Sequence, residues 1–261
     1  MKTDLREMIG KIEYQEFFQQ LYEIALKGMN VGSTAGRYDQ SGEKYVLEYI
    51  YNIVKNRPAT SVILDVGANV GAYAKQVLNV FGEKAQLHCF EPSKTAFAAL
   101  SESLKAGNVH HHNYGFGSSG DCRELFTNHW GSGQASLFKR TNTTDLLNFR
   151  EVIEIKRLDD WIVENKIDRI TLLKMDIEGG ELNVLKTIES VLSQSRIEYI
   201  QFEFSIGNMY ARNYFSDFFQ LLSPSYKIHR IVQNGLWEIS EYNDSCELFV
   251  AANYLAVLKP R

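Results

Sequence analysis

From residue 62 onward the chain keeps changing its hydrophobic period. Short β-branched or apolar runs, "VILDV", "AQLHCFEP", "NVHHHNYGFG", "ITLLKM" and "IEYIQFEFS", alternate with the amphipathic stretches "AYAKQVLNVFG", "SKTAFAALSESLKAG", "LDDWIVENK" and "ELNVLKTIESVL". A strand buried on both faces reads as a nearly continuous apolar run, whereas a crossover helix needs one apolar stripe. The alternation therefore implies an α/β fold, a mainly parallel, doubly wound sheet with helices on both faces. Gly82 is placed to stop the first of these helices, and Ser93 to cap the second. "CRELFTN" and "EVIEIKRL" read as a small antiparallel excursion. Near the end, "YKIHRIV" and "LWEIS" flank Asn234-Gly235 as a hairpin, which predicts one antiparallel strand at an edge of the sheet, and "ELFVAANYLAVL" is a final strand.

A chain of 261 residues suits one such domain with an extension. Leu5, Ile9, Ile12, Phe17, Leu21, Ile24 and Leu26 recur at helical spacing. Residues 1–40 are therefore read as an N-terminal helical extension packed on the core, and 41–261 as the main domain. The alternative is a helix that covers a partner or substrate. With 44% hydrophobic and 12% aromatic residues the chain can bury a large core, and a formal charge of −4 argues against a nucleic-acid partner. Three widely spaced cysteines, Cys89, Cys122 and Cys246, form no metal-type pair and read as free thiols of a reducing compartment. The charged N-terminus resembles no secretory leader, and no run approaches the ~18 apolar residues of a membrane span, so a cytoplasmic location is expected. Composition says nothing of oligomeric state.

In a doubly wound sheet, ligands bind beyond the carboxyl ends of the strands, which directs attention to "VILDVGANVGAYA". A dinucleotide site wants G-x-G-x-x-G, so that backbone can approach a pyrophosphate. Here Gly67 and Gly71 are present but the middle glycine is not, and Asp65 at the strand end would repel phosphate. The same carboxylate suits a ligand bearing an ammonium or sulfonium charge, or it could accept hydrogen bonds from its own loop. Glu91 follows Gly71 by twenty residues at the end of the next strand, where an acid can accept two ribose hydroxyls. Together these features describe a cationic amino-acid nucleoside, S-adenosylmethionine. An NAD-binding Rossmann oxidoreductase and a noncatalytic cofactor-binding module remain the alternatives.

"LDVGANVG", "FEPSK" and "LLKMDIEGGE", with "GSGQASL" and "IKRLDDWI" between them, resemble the FkbM family of S-adenosylmethionine-dependent methyltransferases over roughly residues 42–205. The resemblance implies a class I methyltransferase (Rossmann-like) fold with a seven-stranded sheet, and O-methylation of a carbohydrate or secondary-metabolite hydroxyl. It further implies that Asp65, Gly67, Asn69 and Gly71 hold the methionine part of the cofactor, that Glu91 takes the ribose, and that Asn113 and Tyr114 lie near the adenine. "SGEK" also looks family-like, with Gly42 and Glu43 closing over the cofactor. Arg157 stands where threonine is common and Gly180 where alanine is common.

Methyl transfer to an alcohol requires alignment of oxygen, carbon and sulfur and a group to take the hydroxyl proton. "MDIEGGE" places Asp176 and Glu178 in the loop after a central strand, and Glu203 ends the next strand. These three are the candidate catalytic residues. Asp176 is also expected to face the cofactor. If the strand persists, only one of Asp176 and Glu178 faces the pocket. Glu181 is expected to serve the helix N-terminus. The three carboxylates could hold a hard divalent cation around a substrate diol, yet no metal is predicted. Of the histidines at 110–112, only His110 and His112 can share a strand face, and core or exposed positions are expected. His229, Trp130 and Trp161 carry no decisive signal, whereas Tyr210 and Tyr214 could line an acceptor pocket. The expected partner is a small-molecule or glycan acceptor, with neither nucleic acid nor a membrane span.

Overall fold

A computed structural model describes residues 5–32, 38–141 and 149–260. The eight strands of the main sheet are β1 (Ser61–Val66), β2 (Ala85–Phe90), β3 (Val109–His112), β7 (Ile170–Met175), β8 (Ile197–Phe204), β9 (Tyr226–Val232), β10 (Gly235–Ile239) and β11 (Ala252–Leu258). The intervening β4 (Gly115–Phe116), β5 (Asp121–Thr127) and β6 (Phe149–Lys156) form a separate three-stranded sheet ordered β4-β6-β5. This is the predicted excursion, with β4 added.

The main sheet runs β10-β9-β11-β8-β7-β1-β2-β3. β3, β2, β1, β7 and β8 are mutually parallel, and β11 is antiparallel to both of its neighbours, β8 and β9. This is the class I architecture, with an eighth strand beyond the predicted seven. The extra strand is β10, the second arm of the hairpin, whose Gly235 pairs with Val232 across a two-residue turn. β10 is the antiparallel edge strand that the hairpin predicts, and β11 lies inside the sheet. Its Tyr254, Leu255 and Ala256 are buried on both faces, so it needs a strand on each side, whereas the half-exposed β10 takes the edge.

Helices cover both faces. α3 (Glu43–Val54), α4 (Ala72–Phe81) and α5 (Lys94–Ser103) share one apolar cluster through Leu47, Val77 and Leu100. α6 (Leu158–Glu164), α7 (Glu181–Thr187), α8 (Glu189–Ser193) and α10 (Phe215–Leu222) share the other through Trp161, Leu182, Leu192 and Phe218. The short α2 (Tyr38–Ser41) leads into α3, and α9 (Ile206–Ala211) follows β8. Ser93 stands at the α5 N-cap, but its side chain makes no capping bond. Its backbone amide donates to Glu91 Oε1 instead.

The N-terminal segment, with α1 (Gln15–Gly28), departs from expectation. Leu26 docks into the core, but Ile9, Ile12 and Ile24 face outward, Ile12 at 86% exposure. The apolar spacing is helical, but most of that stripe faces away from the sheet. Among the described residues no helix is long and apolar enough to cross a membrane.

The histidine repeat is structural. His88 on β2, opposite His110 on β3, stacks on it at 4.6 Å between ring centroids and on His112 at 5.4 Å, with the edge of Trp161 against His88. Burial and the neighbouring imidazoles hold His88 near 3 and His112 near 4, so both are neutral at ordinary pH.

Candidate active site

The turn after β1 and the turn after β7 are pressed together backbone to backbone. Asp176 N–H donates to the Val66 carbonyl at 3.0 Å. Gly67 has φ +86°, and a Cβ there would lie 2.0 Å from the Asp176 carbonyl oxygen, so no other residue fits without moving the Asp176 loop. The amides of Gly67 and Ala68 both donate to the Phe90 carbonyl, which ties the same turn to β2. Asn69, at φ 47°, donates its amide to Glu91 Oε2 at 2.8 Å, while Glu91 Oε1 accepts from Ser93. Gly71 completes the turn into α4 without lining a cavity.

A first cavity, with about 60 Å³ of free space, opens above this turn. Gly67, Asn69 and Asp176 form its floor, and Glu91 is the other acid in its wall. The rest is largely apolar: Pro92, Phe116, Leu125, Leu137, Ile153 and Ile155, much of it supplied by the small β4-β6-β5 sheet. Burial raises the Glu91 carboxyl to about 7, against the two amides that stabilise its charge. Asn113 and Tyr114 are not in this wall. The Asn113 amide donates to the carbonyls of Glu91 and Pro92, and Lys156 lies 4.0 Å over the Tyr114 ring. Gly115 and Phe116, the next two residues, reach the cavity instead.

A second, wider cavity, with about 600 Å³ of free space, shares Asp176 with the first. Tyr73, Arg140, Lys174, Asp176, Glu178 and Glu203 line it, with Phe249, Val250 and Ala251 from the segment before β11. The two cavities share Gly67, Asn69, Gly133 and Asp176. Among the described residues Asp176 is the one ionisable side chain that lines both. Tyr210 and Tyr214 line neither.

Asp176, Glu178 and Glu203 converge, each offering an oxygen within 4.8 Å of the others. The alternation that would have turned one of the first two away does not arise, because β7 ends at Met175. Glu178 then adopts a left-handed backbone, φ 53°, which is rare for a residue with a side chain. Arg140 Nη2 stands 2.5 Å from Glu178 Oε2, and Ser136 Oγ donates to the Glu178 carbonyl. Burial and Asp176 push the Glu178 carboxyl up while Arg140 pulls it down, with a net rise. Burial together with Asp176, Glu178 and Glu181 raises Glu203 well above the usual carboxylate range. Glu181 is fully buried and accepts the amides of Ile177 and Gly179, so it fixes the loop at the head of α7 as its position predicted.

Asp65 and Glu43 lie behind this surface and line neither cavity. The cation nearest Asp65 is Lys174, whose ammonium is 3.4 Å from Asp65 Oδ1 and 3.6 Å from Asp176 Oδ2. Neither Asp65 oxygen accepts a hydrogen bond, so charge holds that pair. Burial opposes the lysine's charge, but Asp65, Asp176 and Glu43 together outweigh it and keep the amine protonated. Glu43 accepts from Gln201 Nε2 and Ser41 Oγ, and Gln201 Oε1 accepts from the Tyr73 hydroxyl.

Lys174 and Arg140 were not singled out by sequence. Lys174 carried a usable signal: it is the one charged residue in "ITLLKM", a strand buried along its whole length, and it sits in register with Asp65. Arg140 lies in irregular chain and carried none.

Residues 65–229 match the Methyltransferase FkbM domain, a stretch containing every acidic group named above except Glu43. The chain belongs to the FkbM methyltransferase family. This FkbM domain is 29% identical over 164 residues to the 2-O-methyltransferase NoeI of Sinorhizobium fredii, covering 54% of this chain and 63% of that one. It is 27% identical over 161 residues to the hexuronic acid methyltransferase AglP of Haloferax volcanii, covering 59% of each. The match thus spans less than two thirds of either relative. A solved SAM-dependent methyltransferase from Agrobacterium tumefaciens superposes at TM-score 0.44 and 10% identity, over 84% of this chain and 62% of that one.

Proposed function

We propose that this FkbM domain, residues 41–261, transfers a methyl group from S-adenosylmethionine to a hydroxyl of a carbohydrate or secondary metabolite. One observation carries the reading: an apolar cavity with a single buried acid in its wall and a carboxylate-lined cavity meet at Asp176. The first cavity has the chemistry a nucleoside needs. Glu91 can accept ribose hydroxyls, Phe116, Leu125 and Ile155 offer apolar surface to a base, and Gly67 and Asn69 leave the floor open to the amino-acid end. When bound, S-adenosylmethionine supplies an activated methyl group on a sulfonium leaving group.

The protein's own part is placement and proton handling. An acceptor hydroxyl in the second cavity approaches the junction, where Asp176 takes its proton. Asp176 Oδ1 is the receiving atom, since Oδ2 faces Lys174. Burial and the neighbouring carboxylates favour the acid form of Glu203, which can donate a hydrogen bond to a neighbouring hydroxyl, and Glu178, braced by Arg140, can accept one. Such a set suits a polyhydroxylated acceptor, in keeping with the sugar-related name of the Haloferax relative. No divalent metal is proposed, because Arg140 and Lys174 already supply positive charge to the carboxylates. A cytoplasmic setting agrees with three free cysteines.

The test is twofold. Calorimetry with S-adenosylhomocysteine should show a stoichiometric complex. Incubation with labelled donor and a panel of sugars and glycans should yield an O-methyl product by mass spectrometry. NADH binding without S-adenosylhomocysteine binding would replace this reading with the oxidoreductase one. Binding without transfer to any acceptor would favour a noncatalytic module.

A further inference from the structure

The acid at the end of β1 and the acid at the cavity junction are joined by one buried cation. Lys174 leaves β7 in register with Asp65 on β1, and its side chain is only 5% exposed. Its ammonium has Asp65 at 3.4 Å, Asp176 at 3.6 Å and the Tyr73 ring centroid at 5.0 Å. Tyr73 is itself held by Gln201, and Gln201 by Glu43. The ammonium therefore has a fixed position that does not depend on any ligand. Asp176, by contrast, has a side chain 38% exposed, and among the described residues the cation that pairs with its carboxylate from the protein side is Lys174.

We infer that Lys174 is a positioning residue that fixes the Asp176 carboxylate at the junction of the two cavities, and that Asp65 acts at one remove by fixing Lys174. Its catalytic consequence rests on the methyl transfer proposed above. The physical coupling between Lys174 and Asp176 does not. A charged side chain tethered on one oxygen keeps the other aimed at the acceptor, whereas an untethered one samples several rotamers, and a misplacement of about 1 Å can cost on the order of 100-fold in rate. Asp65 supplies the counter-charge that lets a lysine stay ionised in a buried strand.

Three variants test this. Lys174→Met leaves two carboxylates without a counter-ion and should lower the melting temperature, so the paired variant Asp65→Asn/Lys174→Met, which removes the opposite charges together, is the informative background. The paired variant should melt close to wild type and bind S-adenosylhomocysteine within about threefold of wild type. Its kcat should fall by about 100-fold with acceptor KM little changed. A lysine that merely neutralises Asp65 would leave the paired variant fully active, and that result overturns the inference. Asp176→Asn supplies a readout free of any acceptor. Because Glu178 and Glu203 lie beside Asp176 in both backgrounds, the substitution should shift the melting temperature in each, and the shift should be lower by the lost Lys174 pairing in the wild-type background. An equal shift in both would show that Lys174 and Asp176 are not coupled. Failure of wild-type protein to bind S-adenosylhomocysteine would instead strike the proposed function and leave the melting comparison standing.

Discussion

Replacing Gly67 with alanine asks whether the turns after β1 and β7 are as closely pressed as they look. The added methyl carbon would sit 2.0 Å from the Asp176 carbonyl oxygen and 3.1 Å from Ile177 Cγ2. An ordinary carbon–oxygen contact is more than 1 Å longer, so the Asp176 loop must move. Two costs add: roughly 1–2 kcal/mol for placing a side chain at positive φ, and about 1–3 kcal/mol for overpacking. An entropy of ~2.1 cal/mol/K per residue over 261 residues is roughly 0.55 kcal/mol/K, so a loss of about 3 kcal/mol lowers the melting temperature by about 5 °C. Gly82 is the internal control. It too has positive φ, +52°, but nothing lies within 4 Å of where an alanine methyl would stand, so Gly82→Ala should show the backbone cost alone. Differential scanning calorimetry on both variants, with S-adenosylhomocysteine titration, separates the two costs. Gly67→Ala should lose more stability than Gly82→Ala and should weaken ligand binding as well. Equal losses, with ligand affinity intact, would refute the backbone-to-backbone contact.

Other outcomes follow from the same geometry. Asp176→Asn should lower kcat by roughly 100- to 10,000-fold while keeping S-adenosylhomocysteine affinity, as single-turnover assays with calorimetry would reveal. Unchanged turnover removes it as the base. Glu91→Gln should weaken S-adenosylhomocysteine by about tenfold or more, because the ribose acceptor and one amide partner are both compromised. Wild-type affinity would exclude Glu91 from the site. The imidazole stack sets a pH dependence. Unfolded His88 takes a proton near 6.5, whereas the folded group refuses one until about 3, so its contribution to stability is complete above pH 6.5 and declines as pH falls below it. Urea unfolding at several pH values should therefore show a shallower acid decline for His88→Phe than for wild type, and identical slopes would count against a buried, neutral His88.

The order of strands and helices was legible because each element carried its own period. "ITLLKM" and "VILDV" are apolar on both faces and lie in the middle of the sheet. The hairpin around Asn234-Gly235 supplies the antiparallel edge strand, β10, while the unbroken apolar run of Tyr254, Leu255 and Ala256 needs a neighbour on each side and places β11 inside the sheet. Asp176, Glu178 and Glu203 could be foreseen as a cluster, since each sits just past or at the end of a neighbouring parallel strand. Which of them touches both cavities could not, because that depends on where β7 stops and on the unusual backbone of Glu178. Asn113 and Tyr114 do not line the first cavity, whereas Gly115 and Phe116 do. A strand of two residues, β4, turns Gly115 and Phe116 rather than their predecessors toward the cavity, and no propensity rule resolves a shift so small.

The carboxylates and the apolar wall around them stand on different foundations. Asp176, Glu178 and Glu203 rise from adjoining parallel strands whose connecting loops meet with no side chain between them, Gly179 against Gly207 as well as Gly67 against Asp176. Leu125, Ile153 and Ile155 belong to a separate little sheet, and Phe249 to Ala251 to an irregular stretch of chain. An engineer wishing to redirect such a scaffold toward new acceptors therefore has freedom in the canopy and almost none in the floor.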